Sequence, residues 1–163
     1  MSILSVLLSL VALFPAVDPV SRTGACDGAE GVTVAVSRET EVLVRCVSGS
    51  PGDARTALEH SGLAVRLGSG TGPYGDSGYV CRVEGLPADD SCTGHRDGAP
   101  FWKVWRVGLD PVAWRESRTQ GGPAAVRVCP GGLVGFGYGS KTSQMTVAPE
   151  KVVTTPGWLP PPC

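Results

Sequence analysis

The stretch Tyr79-Val80-Cys81-Arg82-Val83-Glu84-Gly85-Leu86-Pro87, continued through Cys92 to Phe101-Trp102-Lys103-Val104-Trp105, decides how this chain is read. Both of its runs alternate with a period of two, as half-buried strands do. In the first, Tyr79, Cys81 and Val83 oppose Val80, Arg82 and Glu84. In the second, the most β-prone run of the chain, Phe101, Lys103 and Trp105 share one face while Trp102, Val104 and Arg106 share the other. A single turn-rich segment separates Cys81 from Cys92, so these two cysteines are expected to pair. Nothing in the stretch is a catalytic motif.

Working outward, Leu63, Val65 and Leu67 keep the strand period, and the residues before them switch to a helical one. Ser50 can cap a helix with Pro51 at its first position and Asp53 three residues on, while Ala54, Ala57, Leu58 and Ser61 line one face and Gly62 ends it. Earlier still, Val32, Val34 and Val36 and then Val42, Val44 and Cys46 alternate about a turn at Ser37 to Glu41, which predicts a hairpin. Beyond Trp105, a short segment surrounds Trp114, Val126 and Val128 follow, and Val134, Phe136 and Tyr138 stand among glycines. Gly68 to Gly78 reads as a flexible loop in which Tyr74 is a candidate contact residue. Pro149 to Cys163, rich in Pro and Thr, reads as an extended tail. A hairpin, one helix and then several strands predict an α+β, mainly β fold: a β-grasp-like mixed sheet with one helix across it, disulfide-braced and with long loops.

Composition narrows the class. With 163 residues the chain can build one core, and its 23 glycines and 14 prolines make much of it turn and loop. Charged residues amount to 18% and the net charge is -1, so there is no basic footprint for nucleic acid and no acidic solvating block. Residues 3 to 17 form a weakly polar to apolar run of fifteen. A membrane span needs about 20 residues, so this run fits the apolar core of a secretory leader, although no basic residue precedes it. Thr23-Gly24-Ala25 offers small residues for cleavage before Cys26. The expected organisation is therefore a leader at 1–25, a domain at 26–148 and a Pro-rich tail at 149–163, with no membrane span in the mature chain. Thr23 to Cys26 also bears some likeness to a lipobox, which makes lipidation at Cys26 the alternative processing.

Six cysteines behind such a leader read as disulfides formed in an oxidising compartment. Besides Cys81 with Cys92, the expected pairs are Cys46 with Cys129, which would cross-link strand-like runs, and Cys26 with Cys163, which would tie the ends.

The succession Val44-Arg45-Cys46, the helix, Tyr79 to Pro87, Cys92, Phe101-Trp102-x-x-Trp105, Trp114 and Gly132-x-x-Gly135-Phe136-x-Tyr138 resembles a group of small secreted actinobacterial proteins. More distantly it is similar to the transcobalamin C-terminal-like domain, a β-grasp module that closes over one face of cobalamin in the vertebrate carriers. The resemblance covers about residues 32–138. It implies a β-grasp fold and makes a small planar ligand one option. The chain departs from the group's pattern at Phe101, Glu84, Val107 and Gly108.

Candidate sites are few. Trp102, Trp105, Trp114 and Tyr138 could offer a stacking platform for a flat ligand, or could simply fill a small core. Trp102 and Trp105 lie on opposite faces of one strand, so one is expected inward and one outward. Cys92-x-x-His95 beside Cys81 has a spacing seen at zinc sites, yet a disulfide explains the same cysteines, and no metal or cofactor is expected. Asp89, Asp90 and Asp97 lack the spacing of a calcium loop and read as a solvated segment. No nucleophile, base and acid stand in a legible arrangement, so no enzyme activity is expected. The reading is a secreted binding module whose partner is a small molecule or an extracellular protein. The rival is a protease inhibitor that offers an exposed loop, Gly68 to Gly78 or Ala88 to Pro100.

Overall fold

The computed structural model describes residues 21–69, 78–93, 98–108, 113–153 and 155–163. It is mainly β. Strands β1 (Ser21–Thr23), β2 (Gly31–Arg38) and β3 (Glu41–Ser48) precede helix α1 (Ala54–Glu59), and β4 (Val65–Leu67), β5 (Val80–Val83), β6 (Phe101–Val107), β7 (Trp114–Glu116), β8 (Leu133–Gly139) and the short helix α2 (Pro149–Val152) follow. Six strands make one mixed sheet in the order β1-β3-β2-β8-β6-β7, and β4 pairs with β5 apart from it. The two central strands, β2 and β8, run parallel, with Val34 beside Val134 and Val36 beside Phe136. The other neighbours in the large sheet are antiparallel.

The alternation read along the strands sorts residues onto the two faces. One face carries Val32, Val34, Val36, Val47, Trp102, Val104, Val134 and Phe136, and α1 lays Ala54, Ala57 and Leu58 across it. The β4-β5 pair completes this main core with Val80 and Val83. Helix α1 begins later than expected. Asp53, not Ser50, is its N-cap, accepting the Thr56 amide at 2.9 Å. The reason is tertiary: Asp53 bridges Arg127 and the Ala54 amide donates to Val126 O at 2.8 Å, which holds Asp53 itself in extended backbone. Val126 and Val128 follow a 3₁₀ turn at Gly122–Ala125 and join the main core beside Ala54, Ala57 and Leu58 of α1.

The opposite face is covered too. Ala35 and Leu133 are packed there by Val152, Val153, Met145, Val147, Trp114 and Trp158. The stretch expected as an extended tail therefore opens with α2, Pro149 sitting at its first turn where a missing N–H costs nothing, and returns onto the sheet. Glycine makes this cover possible. On β8 the residues facing it after Leu133 are Gly135, Gly137 and Gly139; a Cβ on Gly135 would lie 2.9 Å from both Met145 Cε and Trp114 Cζ3. Trp105 stands directly across from Gly135, and Phe101 from Gly139.

All six cysteines are bridged, in one expected pair and two others. Cys81 joins Cys92, with Cα atoms 5.5 Å apart. Cys26 joins Cys46 and Cys129 joins Cys163, in place of the expected Cys26–Cys163 and Cys46–Cys129. Topology accounts for the difference. Thr33 pairs across the strands with Cys46, and its hydroxyl accepts the Cys26 amide at 2.9 Å, which sets Cys26 beside Cys46. Cys129 precedes β8, and β2 lies between β8 and β3, a spacing of about 10 Å that exceeds the reach of a disulfide. Trp158 Nε1 donates to Gly131 O at 2.9 Å, and this brings the tail end back to Cys129.

Among the described residues, no helix is long and apolar enough to cross a membrane. Ser21–Thr23, inside the segment expected to leave with the leader, is the edge strand β1.

Candidate functional site

The four aromatic candidates separate onto two faces. Trp102 lies in the main core with its ring 5.3 Å from that of half-buried Tyr138. Trp105 is 2% exposed on the other side of β6, and Trp114 packs on that side with its Nε1 donating to Val147 O at 2.7 Å. Both tryptophans of β6 are thus buried, because the second face of the sheet has a cover of its own. Trp102, Trp105, Trp114 and Tyr138 form no single platform. Tyr74 lies outside the described residues.

Lys103 shares the covered face. Its ammonium donates to the carbonyls of Ser143 and Lys141 and stands 5.0 Å from the centre of the Trp105 ring. Burial pushes its pKa below the usual lysine range, with Glu116 opposing that shift. Its work is structural: it fastens the segment after β8 onto the sheet.

The best-organised exposed feature is the loop that Cys81 and Cys92 close. Alternate carbonyls along it each accept a hydrogen bond, some from within the loop and some from outside it. Glu84 O takes one from Arg38 Nη1 at 3.2 Å. Leu86 O takes one from Trp102 Nε1 at 3.0 Å and one from the Val83 amide at 3.1 Å. Ala88 O and Asp90 O both accept from Arg82 Nη2, at 3.1 and 2.6 Å, and Cys92 O accepts from the Ser69 amide at 3.0 Å. Side chains add two more ties: Asp90 Oδ1 accepts the Cys92 amide at 2.8 Å and Glu84 Oε1 accepts the Ala64 amide at 2.6 Å.

Glu84 and Cys92 have φ of 49° and 63°, a left-handed backbone that non-glycine residues adopt at a cost, and the surrounding bonds hold it. Glu84, Gly85, Ala88 and Asp89 meanwhile face solvent. Sequence reading found the disulfide and the turn. It missed Arg38 and the indole N–H of Trp102, which come from distant parts of the chain, and Arg82, whose bonds six and eight residues on follow no turn spacing.

Beside this loop lies a dimple lined by Tyr79, Pro87, Asp90, Pro100, Phe101 and Tyr138, with room for about one water molecule. Drug-sized ligands occupy pockets of about 300 to 1,000 Å³, so the dimple is no preformed cofactor cleft. Cys81, Asp90 and Cys92, and likewise Cys26, Glu30 and Cys46, cluster closely enough to suggest a metal. Their sulfurs are spent in disulfides, which leaves one carboxylate in each cluster and no ligand set. His95 and Asp97 lie outside the described residues. Compared with protein-family models, curated proteins and solved structures, the chain matches none.

Proposed function

We propose that this chain is a secreted, non-catalytic interaction module that engages an extracellular or envelope protein through the loop Glu84–Ser91. The observation that carries this reading is the row of tied carbonyls from Glu84 to Cys92. A loop already held in one conformation loses little freedom on binding, and preorganisation of this kind raises affinity without added area. Glu84 and Asp89 are exposed acidic residues of the loop, which suits a partner with a basic surface and steers its approach. Three disulfides accord with an oxidising compartment. The strand plan supports the β-grasp reading, since the first and last major strands lie parallel at the centre, each beside its antiparallel partner, with the helix following the first hairpin.

Inhibition of a secreted protease is the narrower form of the same reading. The disulfide and the donors beneath the loop favour it, because a rigid, exposed, tied loop is what an inhibitor presents to an enzyme. A small planar ligand has less support, with the tryptophans split between two covered faces and a dimple of one water beside the loop.

The test is site-directed photo-cross-linking in the native secretion medium. A photoreactive residue at exposed Asp89 should capture a protein, whereas one at exposed Gln144, in the segment covering the second face, should not. Capture at Gln144 alone, or at neither site, contradicts the proposal. Loss of a secreted protease's activity on titration with the pure chain would select the inhibitory form.

A further inference from the structure

We infer that Ser21–Ala25 belong to the mature protein, so that leader cleavage falls before Ser21 and Cys26 serves as a half-cystine rather than a lipid attachment site. The inference rests on reading the chain as secreted. It concerns where the leader ends, and there the small-residue signal at Thr23-Gly24-Ala25 and the folded structure point to different bonds.

The first observation is the sheet itself. Ser21, Arg22 and Thr23 pair with Val47, Cys46 and Arg45, and the Gly24 amide continues the ladder to Val44 O at 3.0 Å. Ser21 also lies over the end of α1, its Oγ 2.5 Å from where a Cβ on Gly62 would sit. Removing this strand would bare the outer edge of β3, whose unpaired backbone groups would template pairing with other chains.

The second observation is electrostatic. The Arg22 guanidinium bonds both Asp27 and Glu30, and Glu30 also accepts the Asp27 amide at 2.8 Å. Glu30 lies 3.5 Å from Cys46 Sγ. A chain starting at Cys26 would keep both carboxylates and lose the guanidinium that bonds them.

The third observation concerns the scissile bond. Hydrolysis between Ala25 and Cys26 would consume one water and convert the Cys26 amide nitrogen into an ammonium. With Ser21–Ala25 in place that nitrogen donates to Thr33 Oγ1. An ammonium there would have three protons to place and, in this arrangement, a single hydroxyl to receive one of them. Lipidation at Cys26 fails on valence, since its divalent sulfur is already bonded to Cys46. Ala16, at the end of the apolar run, supplies a small residue for cleavage upstream.

The experiment is to express the full chain in a secreting bacterial host and weigh the protein in the medium, intact and after reduction and alkylation. The expected product begins at or before Ser21 and gains six alkyl groups only after reduction. A product that begins at Cys26, bare or carrying a diacylglycerol, overturns the inference while leaving secretion standing. A chain that stays in the cell with Met1 in place overturns secretion, and the inference with it. A second measurement tests β1 directly, by comparing thermal unfolding of chains begun at Ser21 and at Cys26. The shorter chain should melt lower by about 3 °C or more; equal midpoints overturn the inference.

Discussion

Trp102 and Trp105 sit three residues apart, are both buried, and differ in what their indole N–H meets. The Trp102 N–H donates to Leu86 O, whereas the Trp105 N–H finds no acceptor among the described residues. Substituting Phe removes about the same volume at either site, so the difference isolates that hydrogen bond. Urea unfolding should find Trp102→Phe less stable than Trp105→Phe by about 1 kcal/mol, and the reverse order would refute the assignment. Their placement on opposite faces was legible in the alternation of β6. The burial of both was not, because the cover over Trp105 comes from residues after β8 that carry no strand or helix period. Gly135 makes the same point, since its lack of a side chain has meaning only once Trp114 and Met145 are seen lying on it. Gly135→Ala should cost about 1–3 kcal/mol by chemical denaturation through crowding of those two side chains, and an unchanged midpoint would contradict that packing.

At the scale of elements, the turn between β1 and β2 depends on the ionisation of Glu30. The Asp27 amide, and then the Arg22 guanidinium, hold its carboxyl below the ordinary value of 4.5. Arg22 is correspondingly shifted upward, chiefly by its bond to Glu30. A carboxyl with a lowered folded pKa contributes stability that is present above the unfolded value and lost as pH falls through the folded one. Acidifying from pH 5 should therefore leave the turn intact at first and loosen it below 4.5, read as faster exchange of the Asp27 amide relative to that of Val34 in the central strand. Exchange that stays slow through this range would show that Glu30 does not hold the turn. In the loop Glu84–Ser91 the groups holding the carbonyls are two arginines, an indole and backbone amides, while the carboxylates of Glu84 and Asp90 make only the two side-chain ties. Its closure could be read from two cysteines flanking a turn-rich segment. Its rigidity could not, because Arg38, Trp102 and Ser69 reach it from distant parts of the chain.

Over the whole molecule, the hairpin, the helix and the later strands lay open in the sequence because each advertises its own period. Strand order and two of the three disulfides did not, because both depend on which strand returns to the centre of the sheet. The result is a sheet covered on both faces, with its best-ordered exposed backbone in one small loop. Closing that loop through Cys81 and Cys92 contributes about 3 kcal/mol by restricting the unfolded chain, and Arg82 fixes the form it takes. The most direct test of this account is the backbone ¹⁵N order parameter of Glu84 to Cys92 in solution. Values near 0.85, equal to those of β6 and β8 and falling in Arg82→Met, are the predicted result. Values below about 0.6 in the unaltered protein would mean a mobile loop, and would contradict the proposal that it is a preformed docking element.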